Sequence, residues 1–187
     1  RSFRAVVEKF RPDTVYFVLE GRPVKRLEMM EQYKAQRVYH DKDDFRRQKK
    51  LIINTLKAQF PVHVVRHPHY ECDDLLANLA TVKHARDECV VVSSDSDFYQ
   101  LLQTHSKLKI YNPIRKKFIE VPEYDYVTWK ALKGDESDNI PGFKGIGSKT
   151  ASKLALNPDL LREFLECEKR NEKFMLNCEM IRFHDMT

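Results

Sequence analysis

The chain has 187 residues, enough for one domain, or for one domain with a small appendage. Hydrophobic residues make up 42% of it, which is enough for a real core, and 33% of its residues are charged. Its formal net charge of +5 does not by itself identify a partner. The four cysteines form no CxxC pair, and the histidines at 63–69 lack a second ligand set at finger spacing, which argues against a disulfide scaffold or structural zinc and favours a reduced intracellular protein. No apolar run approaches the length of a membrane span, and no signal peptide is visible.

The predicted elements alternate between helices and strands, which favours an α/β sheet. In chain order we predict a helix near 2–11, a strand at 14–19, a charged segment at about 24–60 that is helical in two parts broken around HDKDD, a strand at 63–65, a helix at 71–84, a strand at 89–94, a helix, a hairpin at 107–121 and a helix at 123–133. The strands VYFVL and CVVV lack polar alternation, as expected of a parallel sheet covered on both faces. From about Gly134 onward the composition is helical and turn-rich, which predicts a small helical subdomain.

Carboxylates gather in three short clusters of this pattern. They are Glu71, Asp73 and Asp74 in ECDD, Asp95 and Asp97 in SSDSD, and Asp135 and Asp138 in GDESDN. Seven acids in one cleft would repel each other strongly, and divalent cations would neutralise them. The basic remainder of the surface suits a polyanionic substrate bound around such a metal site.

The first cluster precedes an apolar helical pattern and therefore occupies a first helical turn. Glu71 and Asp74 are three residues apart and share a face of that helix, whereas Asp73 points elsewhere. Acids also favour helix N-termini because of the helix dipole, so this cluster has an ordinary explanation as well.

The other two clusters follow a strand and a helix. Asp95 and Asp97 come directly after a strand, where ligands of α/β sheets bind, and alternate residues of extended chain point the same way. Asp135 and Asp138 follow a helix for which Gly134 is a plausible C-cap. The ordinary explanations are an Asx turn for the first pair and a solvated turn for the second.

The segment PGFKGIGSKTA at 141–151 is typical of a backbone that grips phosphate. Its glycines permit tight turns, Ser148 is predicted to cap a helix beginning near Lys149, and Lys153 adds positive charge. Such contacts reach the nucleic-acid backbone and not base edges, so binding should lack sequence preference. The P-loop spacing is absent, and nucleotide hydrolysis is not inferred. The candidate DNA-binding residues here are Gly142, Lys144, Gly145, Gly147, Ser148 and Lys149.

The segment YKAQR begins the charged stretch. On a helix Lys34 and Arg37, three residues apart, would share a face suited to a phosphate, and Tyr33 could stack on a base. A solvated basic helix is the ordinary explanation of the same pattern.

Together these motifs resemble those of the 5′-nuclease superfamily, in the branch of bacterial and phage flap endonucleases and 5′–3′ exonucleases. ECDD is similar to the family's ExDD motif, SSDSDFYQLL to its D-x-D motif, and GDESDNIPGFKGIGSKTA to its D-x-x-D motif joined to a helix–three-turn–helix element. YKAQR resembles its arch, or helical gateway. The match covers most of the chain.

The resemblance implies a PIN-like α/β core with a mainly parallel sheet at 1–133, an arch at about 24–60 and a helix–three-turn–helix subdomain at 134–187. It implies that the seven acids hold two or more Mg²⁺ or Mn²⁺ ions, that Lys34 and Arg37 act on the scissile phosphate, and that K⁺ binds carbonyls near Gly145 and Gly147. Two departures stand out. No strand with a first metal-binding Asp precedes Phe3, so we expect a preceding segment, and Glu20 stands where the family usually has Asp.

The implied function is a metal-dependent, structure-selective 5′ nuclease that hydrolyses DNA in replication or repair. Its expected partners are DNA 5′ ends, flaps or junctions, with replication proteins as further candidates, and we expect a cytoplasmic monomer without membrane contact. A catalytically impaired relative that binds branched DNA is the alternative. A PIN-type ribonuclease fits less well, because the helix–three-turn–helix element favours DNA.

Overall fold

A computed structural model describes residues 2–37 and 42–186. The helices are α1 (Ser2–Phe10), α2 (Val24–Met29), α3 (Lys42–Gln59), α4 (Cys72–Asn78, extended by a π-helical turn at Leu79–Lys83), α5 (Tyr99–Leu102), α6 (Tyr126–Lys133), α7 (Ser148–Leu156), α8 (Pro158–Phe164) and α9 (Glu168–Ile181). The strands are β1 (Tyr16–Leu19), β2 (His63–Arg66), β3 (Cys89–Val92), β4 (Leu108–Asn112) and β5 (Lys117–Phe118). No helix in the described ranges is long and apolar enough to cross a membrane.

The strands confirm the predicted α/β class with mainly parallel pairing. β1 pairs with β2 in parallel, β3 pairs with β4 in parallel, and β4 and β5 form the predicted antiparallel hairpin. In the described residues these strands are hydrogen-bonded as two separate groups. The expectation of cover on both faces is wrong for β3, because Val91 is buried while Val90 and Val92 are each 38% exposed.

The carboxyl ends of β1 and β3 both lie near the N-terminal end of α4. His84, just beyond the π-helical turn, contacts Tyr16 at the start of β1, and its carbonyl accepts a weak hydrogen bond from the Cys89 thiol at the start of β3. At the other end, the charges of Glu20 and Asp95 both act on Asp73. The ends of these strands therefore open onto the acidic residues of α4, as expected for ligand sites in α/β sheets.

The charged segment is helical in two parts, as predicted, but YKAQR is not helical. Residues 31–36 form turns between α2 and α3, and Lys34 has a φ of +55°. The predicted break at HDKDD lies partly outside the described residues. Phe45 and Ile52 of α3 are exposed, while Leu56 near the C-terminal end of the helix is buried.

Two hydrophobic clusters form the core. One surrounds β3, β4, α4 and α5, with Phe98 and Ile110 at its centre. The other joins α6 to α7 and α9, with Ala131, Leu132 and Met180 almost fully buried. Helix α6 thus shares its core with the residues that follow it, and the predicted domain boundary after residue 133 remains a prediction.

Candidate functional site

Three of the predicted acids lie together where β3 and α6 end. Asp97, Asp135 and Asp138 each present a carboxylate oxygen, and these oxygens lie within 4.8 Å of one another. Asp135 starts the 3₁₀ turn that carries Asp138, because its carboxylate accepts the amide of Ser137 at 2.8 Å. Local capping chemistry thus places two of the three carboxylates.

The other aspartate pair is arranged differently from the prediction. Asp95 accepts the amide of Asp97 at 2.9 Å, which starts a 3₁₀ turn at Ser96. The Asx turn is therefore present, and the expectation that Asp95 and Asp97 point the same way from extended chain is wrong. Asp97 faces Asp135, whereas Asp95 lies close enough to Asp73 for its charge to act there.

A buried lysine neutralises part of the three-acid cluster. Lys130 of α6 is 8% exposed, and its ammonium contacts Asp97 and lies 2.6 Å from Asp135. Burial raises the pKa of Asp97 even though Lys130 opposes the shift. Burial acts the same way on Asp135, but there the hydrogen bond and charge of Lys130 prevail and lower the pKa. Tyr126 also places its hydroxyl 3.2 Å from Asp97.

Glu71 and Asp74 share a face of α4, as predicted, and that face is occupied by Arg26. The Arg26 guanidinium binds both Asp74 oxygens, at 2.6 and 2.8 Å, and donates to Glu71 at 2.9 Å. Asp74 is 1% exposed and also accepts the backbone N–H groups of Glu71 and His184. Its oxygens are thus already well bonded, which gives Asp74 a structural position behind the site.

Arg26 also connects this acidic pair to the end of the chain's last helix. Its side chain donates to the carbonyl oxygens of Met180 and Arg182, each at 2.9 Å. Because the guanidinium is 4% exposed, removing its charge would leave buried carboxylates uncompensated.

Tyr33 does not form the base-stacking surface that the sequence suggested. Its side chain is 4% exposed and packs in the cluster around α6. Its hydroxyl lies 3.0 Å from Glu71 and 3.1 Å from Asp138. Tyr33 therefore connects two of the acids from inside the protein and has no free face for a base.

Lys34 and Arg37 lie beside the acids, although not on a helical face. Lys34 contacts Glu71 and lies 3.7 Å from Asp138, and Arg37 binds Asp138 at 2.5 Å. Burial lowers the pKa of Lys34, but Glu71 and Asp138 outweigh it and raise the pKa overall, so the ammonium remains charged. The left-handed backbone at Lys34 directs the turn toward the acids, which helical spacing could not have predicted.

Asp73 and Asp95 differ from the other acids. In the described parts of the chain neither forms an ion pair with a lysine, arginine or histidine. Burial, together with the charges of Asp95 and Glu20, raises the pKa of Asp73 to about 7. The Cys72 thiol donates to Glu20 at 2.8 Å, which places Glu20 at the edge of this pair. Of the seven predicted acids, these two are thus the ones without an ion pair in the described residues, although Arg26, Lys34 and Lys130 line the same small pocket as Asp73.

The glycine-rich segment forms an exposed turn before α7. Gly147 takes the N-cap position and α7 begins at Ser148, so the prediction that Ser148 caps the helix is wrong. Gly145 has a φ of +81°, which favours glycine, and a Cβ there would meet open space. Lys144, Gly145, Gly147, Ser148 and Lys149 are exposed.

Residues behind this turn hold it in place. A Cβ at Gly142 would lie 1.9 Å from the carbonyl oxygen of Lys133, so this glycine is required by close packing against the end of α6. Asn177 of α9 donates to the carbonyls of Ala131 and Pro141, each at 2.9 Å, and Lys173 donates to that of Gly142 at 2.5 Å. The turn is thus supported by buried groups on one side and open on the other.

Sequence reasoning missed Arg26 and Lys130, the two most buried cations of the site. Lys130 lies on the same face of α6 as Val127 and Ala131, both buried. A lysine on the apolar face of an amphipathic helix was the available signal. Arg26 gave no comparable signal, because its partners lie 45 residues or more away in the chain.

The donor set fits hard divalent cations. Carboxylate oxygens are the ligands that Mg²⁺ and Mn²⁺ prefer, and three of them already lie within 4.8 Å of one another. Asp73 and Asp95 add two acids that have no ion pair in the described parts of the chain. Asp74 fits least, since Arg26 already binds both of its oxygens.

Acids converging at strand ends of an α/β domain, followed by an exposed basic turn, are the architecture of the 5′-nuclease class. The chain belongs to the family described as 5′–3′ exonuclease, N-terminal resolvase-like domain, whose profile matches residues 1–131. It is 33% identical to the thermostable DNA polymerase I of Thermus filiformis over an alignment of 208 positions, which covers 96% of this chain and 24% of that protein. It is 38% identical to that of Thermus thermophilus over 155 residues, covering 76% and 18%. The chain thus spans a quarter or less of these two relatives.

Solved structures agree with this fold. The flap endonuclease of bacteriophage T5, in a pseudo-enzyme–product complex with DNA and metal ions, matches with a TM-score of 0.72 and 21% identity, over 95% of this chain and 77% of that one. The T5 5′-exonuclease with bound zinc matches with a TM-score of 0.68 and 20% identity, over 96% and 78%.

Proposed function

We propose that this chain is a metal-dependent, structure-selective 5′ nuclease that hydrolyses DNA phosphodiester bonds in replication or repair. The observation that carries the proposal is the pair Asp73 and Asp95, which gathers negative charge beside Glu20 without an ion pair to a described protein cation. Such a pair destabilises a fold unless something neutralises it. A divalent cation does so, and it is also what phosphodiester hydrolysis needs.

The metal-holding residues in this proposal are Glu71, Asp73, Asp95, Asp97, Asp135 and Asp138, with Asp74 supporting Glu71 from behind and Glu20 at the edge. Two or more Mg²⁺ or Mn²⁺ ions would supply an attacking water of lowered pKa and stabilise the departing 3′-oxygen. The side chains themselves position that chemistry, because the turns that carry them are fixed by capping bonds and buried cations.

The exposed turn before α7 would hold the DNA backbone. Lys144, Gly145, Gly147, Ser148 and Lys149 present amides and positive charge to solvent, which suits phosphates read without sequence preference. Gly142 supports this turn from within. Carbonyl groups of the same turn would bind K⁺. The protein would act as a monomer on DNA 5′ ends, flaps or junctions. It would do so in the cytoplasm, where replication proteins are its further partners.

Lys34 and Arg37 would orient and stabilise the scissile phosphate. Their side chains are 19% and 40% exposed, and both reach the acids from one side. Replacement of Lys34 by alanine should therefore slow cleavage far more than it weakens duplex binding. Equal losses in cleavage and in binding would show instead that Lys34 only anchors DNA.

The test is a flap-cleavage assay with Mg²⁺ and Mn²⁺ titrations on the complete protein that carries this chain, with DNA binding measured in parallel by fluorescence anisotropy. The double variant Asp95→Asn, Asp97→Asn should bind DNA and lose cleavage, whereas Asp159→Asn, on the exposed start of α8, should keep both activities. If the wild type binds DNA but does not cleave it at any metal concentration, the proposed nuclease activity is excluded.

The second candidate is a catalytically impaired relative that binds branched DNA. The ion pairs of the site favour this candidate, because acids that pair with protein cations can serve the stability of the fold alone. These acids are Glu71, Asp74, Asp97, Asp135 and Asp138. Asp73 and Asp95 discriminate between the two candidates. A binding protein gains nothing from that uncompensated pair, which would repel phosphates.

A further inference from the structure

Helix α6 buries a positive charge inside the three-acid cluster. Lys130 is 8% exposed, and it lies between Asp97, which its ammonium contacts, and Asp135, at 2.6 Å. Asp138 offers an oxygen within 4.8 Å of the other two carboxylates. The ammonium thus occupies the space toward which these acids converge.

The ammonium and a divalent ion would compete for the same carboxylates. Mg²⁺ binds oxygen ligands at about 2.1 Å and Mn²⁺ prefers the same ligand type, so either ion requires contact with the carboxylates that the Lys130 ammonium now holds. Lys130 is a cation at neutral pH, and two carboxylates surround its ammonium. Two cations in one small carboxylate cluster would repel each other strongly.

We propose that Lys130 is a built-in counter-ion, which holds the Asp97–Asp135 position in the metal-free protein and must leave it before a divalent ion can bind there. The inference rests on the proposed metal-dependent function and goes beyond it. The two pairs of acids therefore differ in how they would bind a metal ion. An ion at Asp97 and Asp135 binds in competition with Lys130, whereas Asp73 and Asp95 have no ion-paired lysine among the described residues.

Calorimetric titration of the purified protein with Mn²⁺ at pH 8 tests the competition. Lys130→Met removes the ammonium and should tighten the weaker Mn²⁺ site at least about tenfold. Lys130→Arg, which retains the charge, should leave that site weak. Lys133→Met, an exposed lysine at the end of the same helix, should match the wild type. Unchanged or weaker Mn²⁺ binding by Lys130→Met would overturn the proposal, because a merely structural lysine predicts that result.

A second measurement uses the wild type and does not depend on how the variants fold. Reductive methylation of lysines, read by mass spectrometry, should label Lys130 poorly without metal and several-fold more in saturating Mg²⁺, with Lys133 as an internal reference. Equal or lower labelling of Lys130 in Mg²⁺ would contradict displacement.

The two proposals fail in different ways. A wild type that cleaves flaps while Lys130 labelling stays constant refutes the counter-ion role alone. A protein that binds no Mn²⁺ and cleaves nothing refutes both the counter-ion and the nuclease.

Discussion

Removing the charge of Asp73 should stabilise the metal-free protein at high pH and do little at low pH. Burial raises the pKa of Asp73 from 3.8 to about 7, so the folded state holds this proton more tightly than the unfolded state does. Stability therefore falls as pH rises between these two values, and the loss is complete above about pH 7. A shift of about 3 units corresponds to roughly 4 kcal/mol as an upper limit. We expect Asp73→Asn to exceed the wild type by about 2–4 kcal/mol at pH 8.

The assay is urea unfolding in EDTA at pH 4 and pH 8, with stability extrapolated to water. The control is Asp13→Asn, an exposed aspartate of the loop before β1, which should change stability by less than about 0.5 kcal/mol at either pH. Adding Mn²⁺ should reverse the order, because the ion stabilises the wild type and loses a ligand in the variant. An equal difference between Asp73→Asn and wild type at both pH values would refute the reasoning, since it would show that Asp73 is not protonated in the fold.

Two further predictions concern the support of the site and the exposed turn before α7, for which we propose DNA binding. Arg26→Met should lower stability by about 3–5 kcal/mol in urea, because it leaves the buried charge of Asp74 without a cation, whereas exposed Lys25→Met should be neutral. A loss below about 1 kcal/mol would contradict the structural role of Arg26. Gly145→Ala should weaken duplex binding in fluorescence anisotropy because φ is +81° there, and Gly147→Ala, at a φ of −88°, should weaken it less. Equal effects of the two alanines would show that backbone conformation is not what matters.

Much of the fold could be predicted, because local patterns decide it. The helices near the start and at α4 and α6, the strands β1 to β4 and the hairpin all follow from apolar periodicity and turn residues. The position of Asp95 near Asp73 follows as well, because parallel strands deliver their carboxyl ends to one edge.

The cations of the site could not be predicted in the same way. Arg26 meets Asp74 across 48 residues and Lys130 meets Asp97 across 33, so these pairs depend on tertiary packing and not on spacing along one element. Tyr33 illustrates the same limit. An aromatic residue among basic ones suggested a surface for bases, whereas its ring fills the core beneath the acids.

The bonds from Arg26 to the carbonyls of Met180 and Arg182 also bear on when this site can form. The first of these contacts joins residues 154 positions apart, so a growing chain contains Arg26, Glu71 and Asp74 long before their last partners exist. At 5–20 residues per second, synthesis separates Arg26 from Met180 by roughly 8 to 30 s. Throughout that interval the acidic cluster lacks its C-terminal support, and a nascent chain should acquire the geometry of this site only after α9 has left the ribosome.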